Sequence, residues 1–143
     1  MPSDPAPDPT SIPHRLHQAM NAHNIDAFVS CFAQDYDSQQ PAHPDRAFRG
    51  NAQVRKNWSA IFTTIPDFRA ELFRTAANGA EVWSEWHWYG HSVEGGMFDW
   101  RGVIIMGIAA NEIAWAHLYV GPVEGGEGID AAVRGMGHGS KNE

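Results

Sequence analysis

The apolar residues change period at Pro66, and that switch most constrains how the chain can fold. Before it, apolar side chains recur every three to four residues, the spacing of one face of a helix. After it they alternate, as on a strand with one buried face. Val54, Trp58, Ile61, Phe62 and Ile65 form one stripe that Pro66 ends. Beyond it, Phe68, Ala70 and Leu72 alternate with Arg69, Glu71 and Phe73.

Helices are therefore expected in the first half of the chain and an antiparallel sheet in the second. Ser11 caps a first helix, with Pro13 in its first turn and Leu16 and Met20 on one face. Asn24 caps a short second helix whose stripe is Ile25, Phe28, Val29 and Phe32. An extended piece, Tyr36 to Gln40, precedes the third helix, which starts at Asn51. The first long strand ends at Asn78-Gly79, a strong hairpin signal. Strands follow from Glu81 to Tyr89, from Met97 to Ala109 and, after a turn at Asn111, from Ile113 to Val120. Helices on one face of a curved sheet make an α+β fold.

The 143 residues suit a single domain. Residues 1–10 hold four prolines and two aspartates and read as a disordered tail. From Gly121 onward seven of 23 residues are glycine, so 124–143 reads as a flexible tail and 11–123 as the domain. MPSDPAPDPTSIP has neither a basic region nor an apolar run, so it does not read as a secretory signal. The single cysteine, Cys31, excludes an internal disulfide and reads as a small buried hydrophobe, which favours the reducing cytoplasm. A net charge of −7 with scattered basic residues argues against nucleic acid and anionic membrane surfaces. The expected partner is a small apolar or aromatic molecule, received by some of the six tryptophans.

The stretches LHQAMNAHNIDAFVSCFAQDY, PDRAFRGNAQVRKNW, IPDF and RGVIIMGIAANEIAWAHLYV resemble the SnoaL-like branch of the nuclear transport factor 2-like superfamily. The resemblance implies a cone: a bent antiparallel sheet wrapped around three N-terminal helices, as in a cystatin-like roll, with a pocket at its wide end. It also implies a homodimer packed through the outer sheet face. Function does not follow, because the superfamily holds enzymes and non-catalytic modules alike.

Ketosteroid isomerases use a carboxylate base, with a tyrosine and a protonated aspartic acid as donors. Those positions fall on Gln40, Leu16 and Ile104, none of which can take the role. The Asp–Arg–Asp set of limonene-epoxide hydrolases falls on Trp86, Trp88 and Leu118. The acid that SnoaL-type cyclases use in the last strand has no counterpart after Glu112, although a one-residue shift exchanges Leu118 for His117.

The resemblance places Leu16, Met20, Tyr36, Ser38, Gln40, Trp58, Phe62, Trp86, Trp88, Trp100, Ile104 and Leu118 around the pocket. Trp86, Trp88 and Trp100 read as core packing ahead of ligand contacts, although core and pocket wall are largely shared in this family. His43 and His117 are the candidate titrating groups for cofactor-free acid/base chemistry, with Gln40 orienting the substrate. A non-catalytic binding or dimerisation module is the alternative. Glu85, His87 and His91 lie close in sequence, but no paired ligand motif accompanies them, so neither metal nor cofactor is expected.

Overall fold

A computed structural model describes residues 8–138. Three helices come first: α1 (Ser11–Ala22), α2 (Ile25–Val29) and, after two strands, α3 (Asn51–Thr64). The strands are β1 (Phe32–Gln39), β2 (Phe48–Arg49), β3 (Arg69–Asn78), β4 (Glu81–His91), β5 (Met97–Ala109) and β6 (Glu112–Pro122). They form one sheet in the order β2-β1-β6-β5-β4-β3. All neighbours are antiparallel except β1 and β6, which run parallel. This is the α+β arrangement expected, with the period change at the α3-to-β3 junction.

Local signals account for most element ends. The Asn24 side chain accepts from Ala27 N at 3.1 Å and starts α2. Ser11 is not the cap expected of it; it is the first helical residue, and its N–H bonds to Asp8 O at 2.9 Å. Phe32 does not extend the α2 stripe, because the chain leaves the helix at Ser30 and Phe32 opens β1. Helix α1 closes on His23 in the left-handed region (φ 53°), a position that usually favours glycine. Tertiary contacts hold it there. Its Nε2–H donates to Phe68 O at 2.9 Å, and the ring stacks on Phe62 at 4.8 Å.

Strand β3 is a sheet edge, and its free backbone groups are capped from α1. Asn21 gives to Ala70 O at 3.0 Å and takes from Ala70 N at 2.8 Å, while His17 Nε2 lies 2.8 Å from the same carbonyl. These bonds satisfy the edge at Ala70, at the start of the strand. The glycines of GVIIMGI serve close packing. A Cβ on Gly102 would strike the backbone of Tyr119 and Val120, and one on Gly107 would strike the Trp115 indole.

The core lies between helices and sheet, built on Ile12, Leu16, Met20, Phe28, Phe68, Trp86 and Met106. Cys31 is buried there as expected. The sequence reading has 124–143 as a flexible tail, yet a further helix, α4 (Ile129–His138), lies within it. The glycines are concentrated before it, leaving the run Ile129 to Val133 with Asp130 in the first turn free to wind. Of the tail expected at 1–10, residues 1–7 lie outside the described residues, and Pro9 and Thr10 form a turn into α1. No helix among the described residues is long and apolar enough to cross a membrane.

Candidate ligand-binding cavity

Alternation on four strands aims one set of side chains at the helices. On β1 these are Tyr36 and Ser38, with Gln40 just past the strand end. On β4 and β5 they include Trp88, Trp100, Ile104 and Met106, and on β6 they are Ala116, Leu118 and Val120. Helices α1 and α3 contribute Leu16, Met20, Val54, Asn57, Trp58 and Ile61. Together they enclose a cavity of about 400 Å³. That lies within the range of small-molecule pockets.

The cavity has two kinds of wall. Trp58 meets Trp88 edge to face at 5.2 Å and Phe28 at 4.6 Å, and Trp100 stacks on Phe98 at 5.5 Å. These contacts fix the rings as a rigid apolar surface. The Nε1 of Trp88 is buried and meets no hydrogen-bond acceptor among the described residues. Opposite in character is the β1 column. Tyr36 and Ser38 are 3% and 2% exposed, so two hydroxyls sit inside a chamber lined mainly by apolar side chains. Burial pushes the Tyr36 phenol up to about 12, against a smaller opposing pull from the neighbouring Ser38 hydroxyl. It therefore stays protonated at neutral pH.

Ten of the expected pocket residues line the cavity: Leu16, Met20, Tyr36, Ser38, Gln40, Trp58, Trp88, Trp100, Ile104 and Leu118. Two do not. Trp86 packs into the core, its Nε1–H donating to Ser84 Oγ at 2.8 Å, and Ser84 in turn donating to Ile104 O at 3.2 Å. Phe62 is drawn aside into the stack with His23. Its position in α3 puts it on the edge of the buried stripe, where helical spacing alone cannot separate pocket from core.

The two histidines are also elsewhere. His43 is exposed in the loop before a single 3₁₀ turn (Pro44–Arg46), and His117 faces the outer side of β6 beside Trp115 at 5.1 Å. The register that pairs Ser38 with Ala116 and Gln39 with His117 leaves Leu118, not His117, on the cavity side. Gln40 holds Arg46 through its Oε1 at 3.2 Å, which leaves its amide N–H groups for the cavity rim.

The liners that the sequence reading did not name include Asn57, Phe28, Phe32 and Phe48. Asn57 had a usable signal, since it lies three residues after Val54 and four before Ile61 on the same helical face. Phe48 had none, because its place depends on how the loop through Pro44 returns to β1.

Tyr36 is the one titratable side chain among the described residues that line the cavity. Glu85, His87 and His91 are engaged separately: Glu85 with Arg74 at 2.8 Å, His87 between Glu71 and Asp99, and His91 with Asp67 at 2.8 Å. Among the described residues no three potential ligands gather as a metal site.

Helices and curved sheet thus close around a chamber lined mainly by apolar side chains. The signature of the SnoaL-like domain matches residues 14–116, and the chain belongs to that family. Similar solved structures include IdmH, a putative polyketide cyclase from Streptomyces antibioticus, at 17% identity and a TM-score of 0.70, covering 80% of this chain and 92% of that one. A putative SnoaL-like polyketide cyclase from Jannaschia sp. CCS1 is 16% identical with a TM-score of 0.67, covering 83% and 91%. A Mycobacterium tuberculosis protein solved in complex with estradiol-17beta-hemisuccinate is 14% identical with a TM-score of 0.68, covering 79% and 94%. At these identities the likeness is one of fold. No match was found among curated proteins.

Proposed function

We propose that this chain binds a neutral, largely apolar small molecule in the cavity and holds it without acid–base chemistry of its own. The observation that carries this reading is a lining with a single titratable group, a phenol that stays protonated at neutral pH. A general base must reach the proton it removes, and neither His43 nor His117 lines the chamber. Neutrality of the ligand follows from the same lining, since a buried charge without a partner is costly.

At about 25 cal/mol per Å², burying ~250 Å² of an aromatic ligand contributes about 6 kcal/mol before association costs. Dissociation constants in the micromolar to millimolar range are expected for a simple probe. The test is a tryptophan fluorescence titration with neutral two-ring probes, 2-acetylnaphthalene and 2-isopropylnaphthalene, with native mass spectrometry counting bound molecules. Saturable one-to-one binding supports the reading, and no saturable binding of either probe overturns it.

We further propose that the outer sheet face packs against a second copy. Phe73, Trp83 and Tyr119 are each more than 40% exposed there, beside half-buried Tyr89, Val103, Ile105 and Trp115. A face this apolar needs a cover. Light scattering that gives a monomer mass at micromolar concentration would refute this assembly.

A further inference from the structure

We infer that the Tyr36–Ser38 hydroxyl pair is a hydrogen-bonding subsite, and that the molecule the cavity takes carries a neutral oxygen acceptor, a ketone or aldehyde carbonyl, on an apolar ring body. The inference rests on the binding reading above and specifies its ligand.

The argument is one of proton counting. Each hydroxyl has one hydrogen to donate and lone pairs to accept with. Tyr36 and Ser38 stand two residues apart on the cavity face of β1. Neither hydroxyl hydrogen is committed to a hydrogen bond among the described residues, so both can be given to a ligand. Both side chains are almost wholly withdrawn from bulk water. The surroundings offer little: Tyr36 is flanked edge-on by Phe32 at 4.8 Å and Phe48 at 5.9 Å, and the amide oxygens of the liners Gln40 and Asn57 already accept from Arg46 and Gln53. Ile104, Ala116 and Leu118 on the adjoining strands have no side-chain acceptor at all. Leaving a buried donor unmet costs on the order of 1–3 kcal/mol. A ligand oxygen that accepts a free hydrogen recovers that cost, which a hydrocarbon of the same shape cannot do.

The ring geometry selects the kind of acceptor. A phenol that stays protonated is a donor at neutral pH and not a base, so it favours a neutral carbonyl over a group that must itself give up a proton. A carboxylate would be a stronger acceptor, but no Lys, Arg or His among the liners is present to neutralise it. Size is limited by the chamber. At about 30 Å³ per water, its 400 Å³ corresponds to some 13 waters' worth of space, which suits a one- or two-ring body.

The test compares the same two probes, which match in shape and differ in having a carbonyl oxygen or a methyl group. The double variant Tyr36→Phe with Ser38→Ala keeps the ring against Phe32 and Phe48 and removes both hydroxyls. The expected result is a five- to tenfold weaker affinity for 2-acetylnaphthalene, with 2-isopropylnaphthalene within twofold of the wild type. In wild-type protein, the bound ketone's C=O stretch should move to lower frequency relative to the ketone in hexane, and that shift should vanish in the variant. Equal weakening of both probes, or of neither, overturns the subsite while the binding reading stands. Failure of both probes to bind wild-type protein overturns the binding reading and this inference with it. Should the double variant not fold, the wild-type spectrum decides alone: an unshifted C=O stretch refutes the subsite.

Discussion

Tyr36 makes the buried chamber measurable without any ligand. In the unfolded chain its phenol has the ordinary value near 10, and in the fold burial raises it to about 12. Below pH 10 both states carry the neutral phenol and nothing distinguishes them. Between pH 10 and 12 the unfolded chain loses its proton while the folded one keeps it. The unfolded state then binds fewer protons, so stability falls as pH rises through this window. Two units of difference at 1.36 kcal/mol each set a ceiling of roughly 2–3 kcal/mol, of which about 2 kcal/mol should be lost by pH 11.5.

Other groups also titrate in this range, and Tyr36→Phe cancels them. Urea unfolding, followed by tryptophan fluorescence at pH 9 and pH 11.5, gives the loss for each protein. The wild type should lose about 2 kcal/mol more than Tyr36→Phe over that interval, whatever the variant's starting stability. A parallel loss in the two proteins would mean that the phenol is not desolvated, and the closed chamber would be refuted with it.

Ser84→Ala leaves the buried Trp86 N–H without its acceptor and should cost about 1–3 kcal/mol, read from chemical denaturation. Gly102→Ala should destabilise by more than Gly107→Ala, because the first drives a methyl into the backbone of Tyr119 and Val120 and the second only into a movable indole. Thermal melts giving the opposite order would show that the close approach of β5 and β6 is wrong. Ala116→Leu projects extra atoms into the chamber; it should weaken both naphthalene probes more than tenfold while costing less than the ~1–3 kcal/mol of overpacking in a filled core.

The sequence by itself determined the order and type of nearly every element, because hydrophobic period is local: it appears wherever a helix or strand must bury one face. Together with the family resemblance it named ten cavity liners, three of them on helices α1 and α3 and the rest on or next to the strands. The missing acids were legible too, since Gln40, Leu16 and Ile104 carry no exchangeable carboxyl whatever their placement. Only the tertiary structure could decide among residues whose local pattern is the same. Trp86 and Trp88 are two apart on one strand face, yet Ser84 claims the first for the core and the second borders the chamber. His117 and Leu118 differ by one step of register, and pairing of β1 with β6, Gln39 with His117 across 77 intervening residues, turns the histidine outward. The physical reason is the same in each case. Period 2 tells which residues share a face, but which face is enclosed, and where packing leaves space, depends on partners distant in the chain.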